Sequence, residues 1–393
     1  MSWPQIALGD LCDIKIGKTP ARAEPAYWSG GTLPWLSIAD MNQGRNLQLT
    51  KECVTEAGVR AANMKLVEPG TLLLSYKLSI GKVGIAQIPM YTNEAIAALS
   101  DLSSKLDPSF MYWALQHVDL LRGADRAAMG ATLNKAKLSE IKFPVPPLDE
   151  QSRIAAILDE ADALRAKRRE AIAKLDQLLQ SVFLDMFGDP VTNPKKWAVV
   201  EVSSIGEVQG GLQLSGTRAS LPLQVPYLRV ANVRRGRLDL SEIKSFGVSP
   251  SELARTTLEE GDILVVEGHG NANEIGRCAV WDGSLAGCSH QNHLIRLRVD
   301  GSRATSMFVA SFLNSEGGRS GLTSASNTTS GLNTISVGKV RACHLLLPPL
   351  QLQQRFGRVV EAIGQQMLDG QRQDALMESL FSSLQHRAFT GTL

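Results

Sequence analysis

The chain states its pattern twice, and a duplication this long confines it to two similar domains in tandem. Leu33-Pro34-Trp35-Leu36-Ser37-Ile38-Ala39-Asp40 returns as Val225-Pro226-Tyr227-Leu228-Arg229-Val230-Ala231-Asn232. Glu68-Pro69-Gly70-Thr71-Leu72-Leu73-Leu74 returns as Glu259-Glu260-Gly261-Asp262-Ile263-Leu264-Val265. Leu133-Asn134, ahead of Pro146-Pro147-Leu148, returns as Leu332-Asn333, ahead of Pro348-Pro349-Leu350. The displacement is 192 residues at the first block, 199 at the Leu-Asn pair and 202 at Pro-Pro-Leu. Small loop insertions produce a drift of that kind. Solenoid units repeat every 20–50 residues or so, so the repeated unit here is a whole domain. Two similar sites on one molecule follow.

At 393 residues, each half can bury its own core. The net charge of +2 divides as +2 over 1–147, −3 over 148–189, +3 over 190–347 and 0 over 348–393. No region is basic enough to grip phosphates by charge alone. The second half carries most of its positive charge as arginine, which suits bidentate contacts to guanine or phosphate. The five scattered cysteines read as reduced thiols. The N-terminus lacks the pattern of a signal peptide, and no apolar run reaches the ~18 residues of a membrane span. A soluble, cytoplasmic protein with no membrane partner is expected.

Each half divides into a strand-rich part and a long helix. Thr71–Leu74, Ile96–Leu99, Ile263–Val266 and His293–Val299 are short apolar runs bounded by turn residues, which predicts strands. Apolar spacing predicts short helices over Pro108–Val118 and Ser306–Leu313. The first long helix is expected from Asp149, its N-cap, to Phe187, with Gly188-Asp189-Pro190 as the stop. Its apolar stripes are Ile154, Ile157, Leu158 and Ala161, then Ile172, Leu175, Leu179 and Val182, with the basic break Arg165–Arg169 between them. In the second copy the stripes are Phe356, Val360, Ile363 and Met367, then Leu376, Leu380 and Leu384. Near-heptad spacing suggests that the two helices pack antiparallel, with the lobes at opposite ends.

These residues resemble the specificity subunit of a type I restriction–modification enzyme. Five segments carry the likeness: Trp3-Pro4 with Leu8-Gly9-Asp10-Leu11, Pro34-Trp35-Leu36-Ser37-Ile38-Ala39-Asp40, Lys142-Phe143-Pro144-Val145-Pro146-Pro147-Leu148-Asp149-Glu150-Gln151-Ser152-Arg153-Ile154, Leu178–Phe183 and Met186–Pro190. The second boundary departs from the pattern at Leu352, where an acidic residue is usual. The resemblance implies an α/β (α+β) chain of four parts. Target-recognition domains span 1–147 and 190–347, and spacer helices span 148–189 and 348–393. Each domain would read one half of a bipartite, asymmetric sequence in double-stranded DNA. The helices would form a coiled-coil-like ruler and would dock methyltransferase subunits, two in number, through which restriction subunits join. S-adenosylmethionine, ATP and Mg would then be expected on partner subunits, with no cofactor on this chain.

The residues themselves point away from catalysis. Gly17-Lys18-Thr19 ends like a phosphate-binding loop, but Cys12 stands where its first glycine is required. Asn193-Pro194-Lys195 lacks the second proline and the aromatic of an adenine-methylating motif. Cys278, Cys288, His290 and His293 match no zinc spacing and read as a buried thiol pair with ordinary histidines. The first rival reading is a stand-alone tandem DNA-binding regulator, and the second, from another class, is a metal-dependent enzyme at Cys278–His293. Candidate DNA contacts are Lys18, Lys77 and Lys82 in the first half, with Arg229, Arg234, Arg235, Arg237, His269, Asn271, Asn273 and Arg277 in the second. Most flank glycine-rich turns that can approach a groove, and asparagine can read adenine. Arg168 and Arg169 either track phosphates beneath the helices or form a solvated face that pairs with Asp162 and Glu170. The residues expected to form the spacer or a docking face are Ile154, Leu158, Ile172, Leu175, Leu179, Phe356, Val360, Ile363 and Leu380.

Overall fold

The computed structural model describes residues 3–77, 79–120, 125–127, 130–323, 327–329 and 332–393, of which 125–127, 130–132, 219, 272, 327–329, 332 and 333 are described by backbone alone. The chain forms two compact units. One comprises residues 1–169 and 373–393, the other residues 170–372. Each unit therefore holds one strand-rich lobe and one segment of each long helix.

The first lobe is built on a five-stranded sheet in the order Asp13–Ile16, Ile96–Ser100, Leu72–Ser75, Val83–Ala86, Asn46–Leu47. Beside it is a three-stranded sheet in the order Glu52–Val54, Leu33–Leu36, Tyr91–Thr92. Leu72 and Leu74 face one hydrophobic cluster while Leu73 faces another, so period-two alternation buries both faces of the central strand. The helix Pro108–His117 covers one face with Phe110, Met111 and Leu115. Asp107 caps it by accepting the Phe110 N–H at 3.0 Å, and proline opens its first turn.

The second lobe repeats this plan in register. Its four-stranded sheet runs Gly206–Gly210, Leu294–Val299, Ile263–Val266, Cys278–Val280, and its three-stranded sheet runs Lys244–Val248, Leu223–Leu228, Ser289–His290. The pairing Ile14 with Leu99 becomes Val208 with Leu297, Leu74 with Val83 becomes Val265 with Cys278, and Trp35 with Tyr91 becomes Tyr227 with Ser289. In place of the fifth strand the second lobe has a hairpin, Val233–Arg234 and Arg237–Leu238, turned by Gly236 at φ +72°. The Leu-Asn match does not survive. Asn134 caps the helix Lys135–Ser139, and its counterpart is Ser336, which caps Val337–Arg341. Leu133 and Ile335 are the buried residues ahead of those caps, each bonded through its N–H to the end of the central strand, at Tyr76 and at Glu267. The displacement is therefore 202 there, already the value at Pro-Pro-Leu. Capping chemistry, which serine and asparagine share, is what the copies keep.

The long helices are Leu148–Phe187 and Leu350–Thr390, 40 and 41 residues, each about 60 Å at ~1.5 Å per residue. The first begins at Leu148, so Asp149 lies inside its first turn, beside the positive end of the dipole, rather than at the N-cap. It ends at Gly188, with φ +80°. Lys195 Nζ donates to the terminal carbonyls of Asp185 and Met186 at 2.6 and 2.9 Å, and Trp197 Nε1 to that of Phe187 at 2.9 Å.

Within each unit the helix segments run antiparallel. In the first, Ile154 and Leu158 complete the lobe core together with Phe381, Ala388 and Phe389. In the second, Phe183, Phe187, Phe308 and Phe356 form an aromatic cluster, and Ile172 packs so near Gly370 that an added Cβ would lie 3.1 Å from its Cγ1. Ile363 is buried, and Ile172, Leu175, Leu179 and Val360 are half-buried. Of the stripe expected at Leu376, Leu380 and Leu384, Leu384 alone faces the core. Leu376 and Leu380 are 70% and 68% exposed, whereas Phe381, Leu384, Ala388 and Phe389 face the core. Two apolar series that share Leu384 compete there, and the one with Phe381 and Ala388 is buried. In the basic break the expected pairing with Asp162 is present, while that with Glu170 is not. Arg165 bonds Asp162 and Glu378, Arg169 bonds Glu378, and Arg168 bonds Gln373, so these arginines tie one helix to the other, while Glu170 pairs with Lys174.

Candidate nucleic-acid interface

The central strand of each lobe ends in a loop that turns back to the next strand. In the first lobe the loop spans 76–82 and in the second 267–277, longer by four residues. These loops carry several of the expected contact residues, but the lobes use them differently. Lys82 Nζ donates to the Ile38 carbonyl at 3.2 Å and to Asn42 Oδ1 at 2.7 Å. Arg277, at the equivalent place in the register, donates to the Val230 carbonyl at 3.0 Å and the Val233 carbonyl at 2.7 Å. Ile38 and Val230 are themselves equivalents. Lys82 and Arg277 thus form one duplicated clamp that anchors the loop to the short turn after the Trp35 or Tyr227 strand. Arg277, 3% exposed and paired with Glu274, is committed to that job.

The remaining candidates lie at or near the surface. Lys18 is exposed, and its carbonyl accepts the Trp35 indole N–H at 3.1 Å. Lys77 stacks its ammonium 5.3 Å from the Tyr76 ring. In the second lobe Arg234 and Arg237 flank the hairpin turn, with Arg234 3.5 Å from Asp239. Arg235 Nη2 reaches the Asn273 carbonyl at 2.8 Å and so joins the hairpin to the 267–277 loop. His269 Nδ1 accepts from the Asn271 N–H and Asn271 Oδ1 from the Asn273 N–H, both at 3.0 Å, leaving the exposed Asn271 and Asn273 side-chain amides free to donate outward. Arg229 pairs with Glu242 at 2.6 Å.

Sequence reasoning missed Arg319. It lies on the short helix Glu316–Thr323, one turn before Leu322, which packs on Gly276 of the loop. Its Nε is buried without a hydrogen-bond partner. Partial desolvation and the neighbouring Arg319 charge together hold the Arg235 guanidinium below its ordinary pKa. The two guanidiniums are near enough for their like charges to interact, with the Glu274 carboxylate, itself bonded to Arg277, also close to Arg235. A lone arginine among glycines gives no sequence signal of this.

The metal constellation comes apart. Cys278 belongs to the cluster under the lobe helix and Cys288 to the cluster on the other face of the sheet, so they are not a pair. Burial pushes each thiol up to about 12. His290 is buried and His293 lies 3.6 Å from Glu267. Among the described residues no group of three or more His, Cys, Asp or Glu is placed to hold a metal ion, and no helix is long and apolar enough to cross a membrane.

The family described as the type I restriction modification DNA specificity domain matches residues 2–174. The specificity subunit of the type I restriction enzyme MjaIX of Methanocaldococcus jannaschii is 21% identical, over 100% of this chain and 93% of that protein. The EcoKI specificity subunit of Escherichia coli K12 is 29% identical, over 67% of this chain and 61% of its own length. Among solved structures, a chain from a study of assembly and conformational transition of the type I R-M system aligns with a TM-score of 0.62 at 16% identity, covering 100% of this chain and 98% of that one. The S subunit from M. genitalium aligns with a TM-score of 0.53 at 14% identity, covering 99% and 96%. Segments that carry the likeness recur at both lobe–helix boundaries, and the duplicated lobes with their paired helices have the fold of those structures: residues 2–174 match the type I restriction modification DNA specificity domain, and the whole chain is similar to specificity subunits of type I restriction enzymes.

Proposed function

We propose that the two lobes read the two halves of a bipartite, asymmetric site in double-stranded DNA, and that the long helices set the number of unread base pairs between them. The observation that carries this reading is duplication with divergence. The strand register and loop anchors are kept, while the loops they present differ in length and in side chains: Lys77 in one lobe, His269, Asn271 and Asn273 in the other. One scaffold with two different reading edges is what an asymmetric two-part target requires. Arg229, Arg234, Arg235 and Arg237, with Arg319, contact phosphates or guanine edges. Asn271 and Asn273 read bases, and Lys18 and Lys77 serve the first lobe.

The chain works without a cofactor of its own, in the cytoplasm. Two methyltransferase subunits dock on the helix pair, and restriction subunits join through them. S-adenosylmethionine, ATP and Mg act on those partners. Exposed leucines on the helices support a docking face. Leu164, Leu376 and Leu380 lie in one unit, and Leu178 and Leu368 in the other, where Leu178, Val359 and Ala362 line a groove of 530 Å³. Methylation mapped across the genome, with and without this gene, tests the reading. Loss of one bipartite adenine motif is expected, and an unchanged methylation pattern contradicts it.

A further inference from the structure

The two lobe–helix joints contain the same buried side chain. Gln151, in the first turn of the first long helix, accepts the Asp107 N–H on Oε1 at 2.9 Å and donates from Nε2 to the carbonyls of Lys105 and Pro146, each at 2.8 Å. Gln353, in the first turn of the second, accepts the Thr305 N–H at 2.9 Å and donates to the Pro348 carbonyl at 2.7 Å. Both are wholly buried. Asp107 and Thr305 cap the lobe helices Pro108–His117 and Ser306–Asn314. Each glutamine therefore ties the proline-rich approach, the start of the long helix and the N-terminus of the lobe's own helix to one point. A neutral amide carries a donor and an acceptor at fixed separation, and burying it desolvates no charge.

The surroundings of the two pegs are not alike. In the first joint Asp159 accepts the Trp113 indole N–H at 2.6 Å and bonds Arg45. Its counterpart by position, Glu361, is exposed, and the second joint relies on the phenylalanine cluster. The copies have kept the peg and changed the packing. Resting on the reading of the helices as a spacer, we propose that Gln151 and Gln353 are positioning residues: each fixes the angle at which a lobe stands on its long helix, and so how strictly one separation between half-sites is demanded. Small angles suffice. A tilt of about 10° at a domain-scale distance of about 20 Å moves a loop by about 3.5 Å, the rise of one base pair.

The test uses the complex with its methyltransferase subunits. Its substrates are DNAs carrying both half-sites at the native gap and at one base pair more or fewer. Gln151→Met and Gln353→Met keep side-chain length and remove the hydrogen bonds. The unaltered complex is expected to modify the off-gap DNAs at less than about a hundredth of the native rate. The variants should stay within about threefold at the native gap and gain about tenfold off-gap. Amide exchange at Asp107 or Thr305 should quicken by about tenfold. If a Met variant does not fold, the corresponding Gln→Glu variant, which keeps the acceptor, is read in the same series and should relax the gap partially. Uniform loss at all three gaps, with the ratio between them unchanged, overturns the proposal while leaving the spacer reading standing. Equal modification of all three gaps by the unaltered complex overturns both.

Discussion

The two lobes share their strand register and differ most where the outer strand of the sheet meets the loop before the central strand. In the first lobe Ala98 and Thr92 line a cleft of 410 Å³, with Lys15 and Asp101 pairing at its rim at 3.2 Å. The corresponding residues in the second lobe are Arg296 and His290, both buried, and Arg296 donates to the carbonyls of Arg255 and Thr257 and to Glu207. Beside it Arg298 grips Asp262 through two bonds of 2.8 and 2.7 Å, where the first lobe has Ser100 and Thr71. One backbone plan thus tolerates either an open cleft or a largely buried ionic network. The first arrangement desolvates no charge. The second depends on every partner remaining in place, because a buried charge left alone is costly.

That contrast is broken most directly at Asp262. Asp262→Ala removes two charge-assisted bonds from Arg298, which keeps Glu259 and the Thr257 carbonyl, and is expected to destabilise the second lobe by about 2–3 kcal/mol. Thr71→Ala, at the equivalent place in the first, should cost under about 1 kcal/mol. Denaturant-dependent hydrogen exchange resolved by lobe measures both, and equal costs would erase the distinction.

His290 sharpens it through pH. Burial, then the Arg296 charge, pushes the imidazole down to about 4. The folded lobe therefore keeps it neutral while the unfolded chain takes a proton below about 6.5. Stability is complete above that value and falls by roughly 2–3 kcal/mol as pH drops towards 4. His290→Thr, the residue of the first lobe, should remove this acid slope from melting curves recorded between pH 7 and 4, whatever it does to the midpoint at pH 7.

A smaller effect is expected at the surface. Arg319→Ala or Arg235→Ala should weaken DNA binding by about 1–2 kcal/mol and reduce the salt slope of log K by about one, as loss of a phosphate contact does. An unchanged slope would make these arginines structural. The smallest effect concerns the helices. Glu378, held below its usual carboxylate range by its hydrogen bond to Arg165, joins the helix segments in the first unit, where the second uses phenylalanines. Being partly exposed, that bridge is worth at most about 1 kcal/mol. Glu378→Gln should lower stability by that much in dilute salt and by less at 0.5 M or so.

The duplication, the central strands and both long helices were legible because burial on two faces, capping residues and prolines write themselves into short stretches of chain. Finer equivalences were not. Leu332-Asn333 copies the letters of Leu133-Asn134, but a cap is defined by what its oxygen accepts, and that residue is Ser336. Leu376 and Leu380 fit helical spacing as well as Phe381 and Ala388 do; only the lobe that covers one face decides between them. Lys82 and Arg277 looked like ligands because they flank glycines, and their acceptors, carbonyls about 45 residues away, have no sequence signature. The arginines around Gly236 were proposed contacts from the sequence; Arg319 joins the proposal only because a separate helix folds against the loop.

The central claim is that this molecule measures a distance as well as reading two sequences. Adding seven residues to each long helix, after Glu170 and before Arg372, lengthens the pair by about 10 Å, close to three base pairs. Mapping methylated adenines in cells that carry the lengthened chain tests the claim. Both half-sequences should be unchanged, with the gap between them longer by about three base pairs; methylation at the original gap would contradict the account.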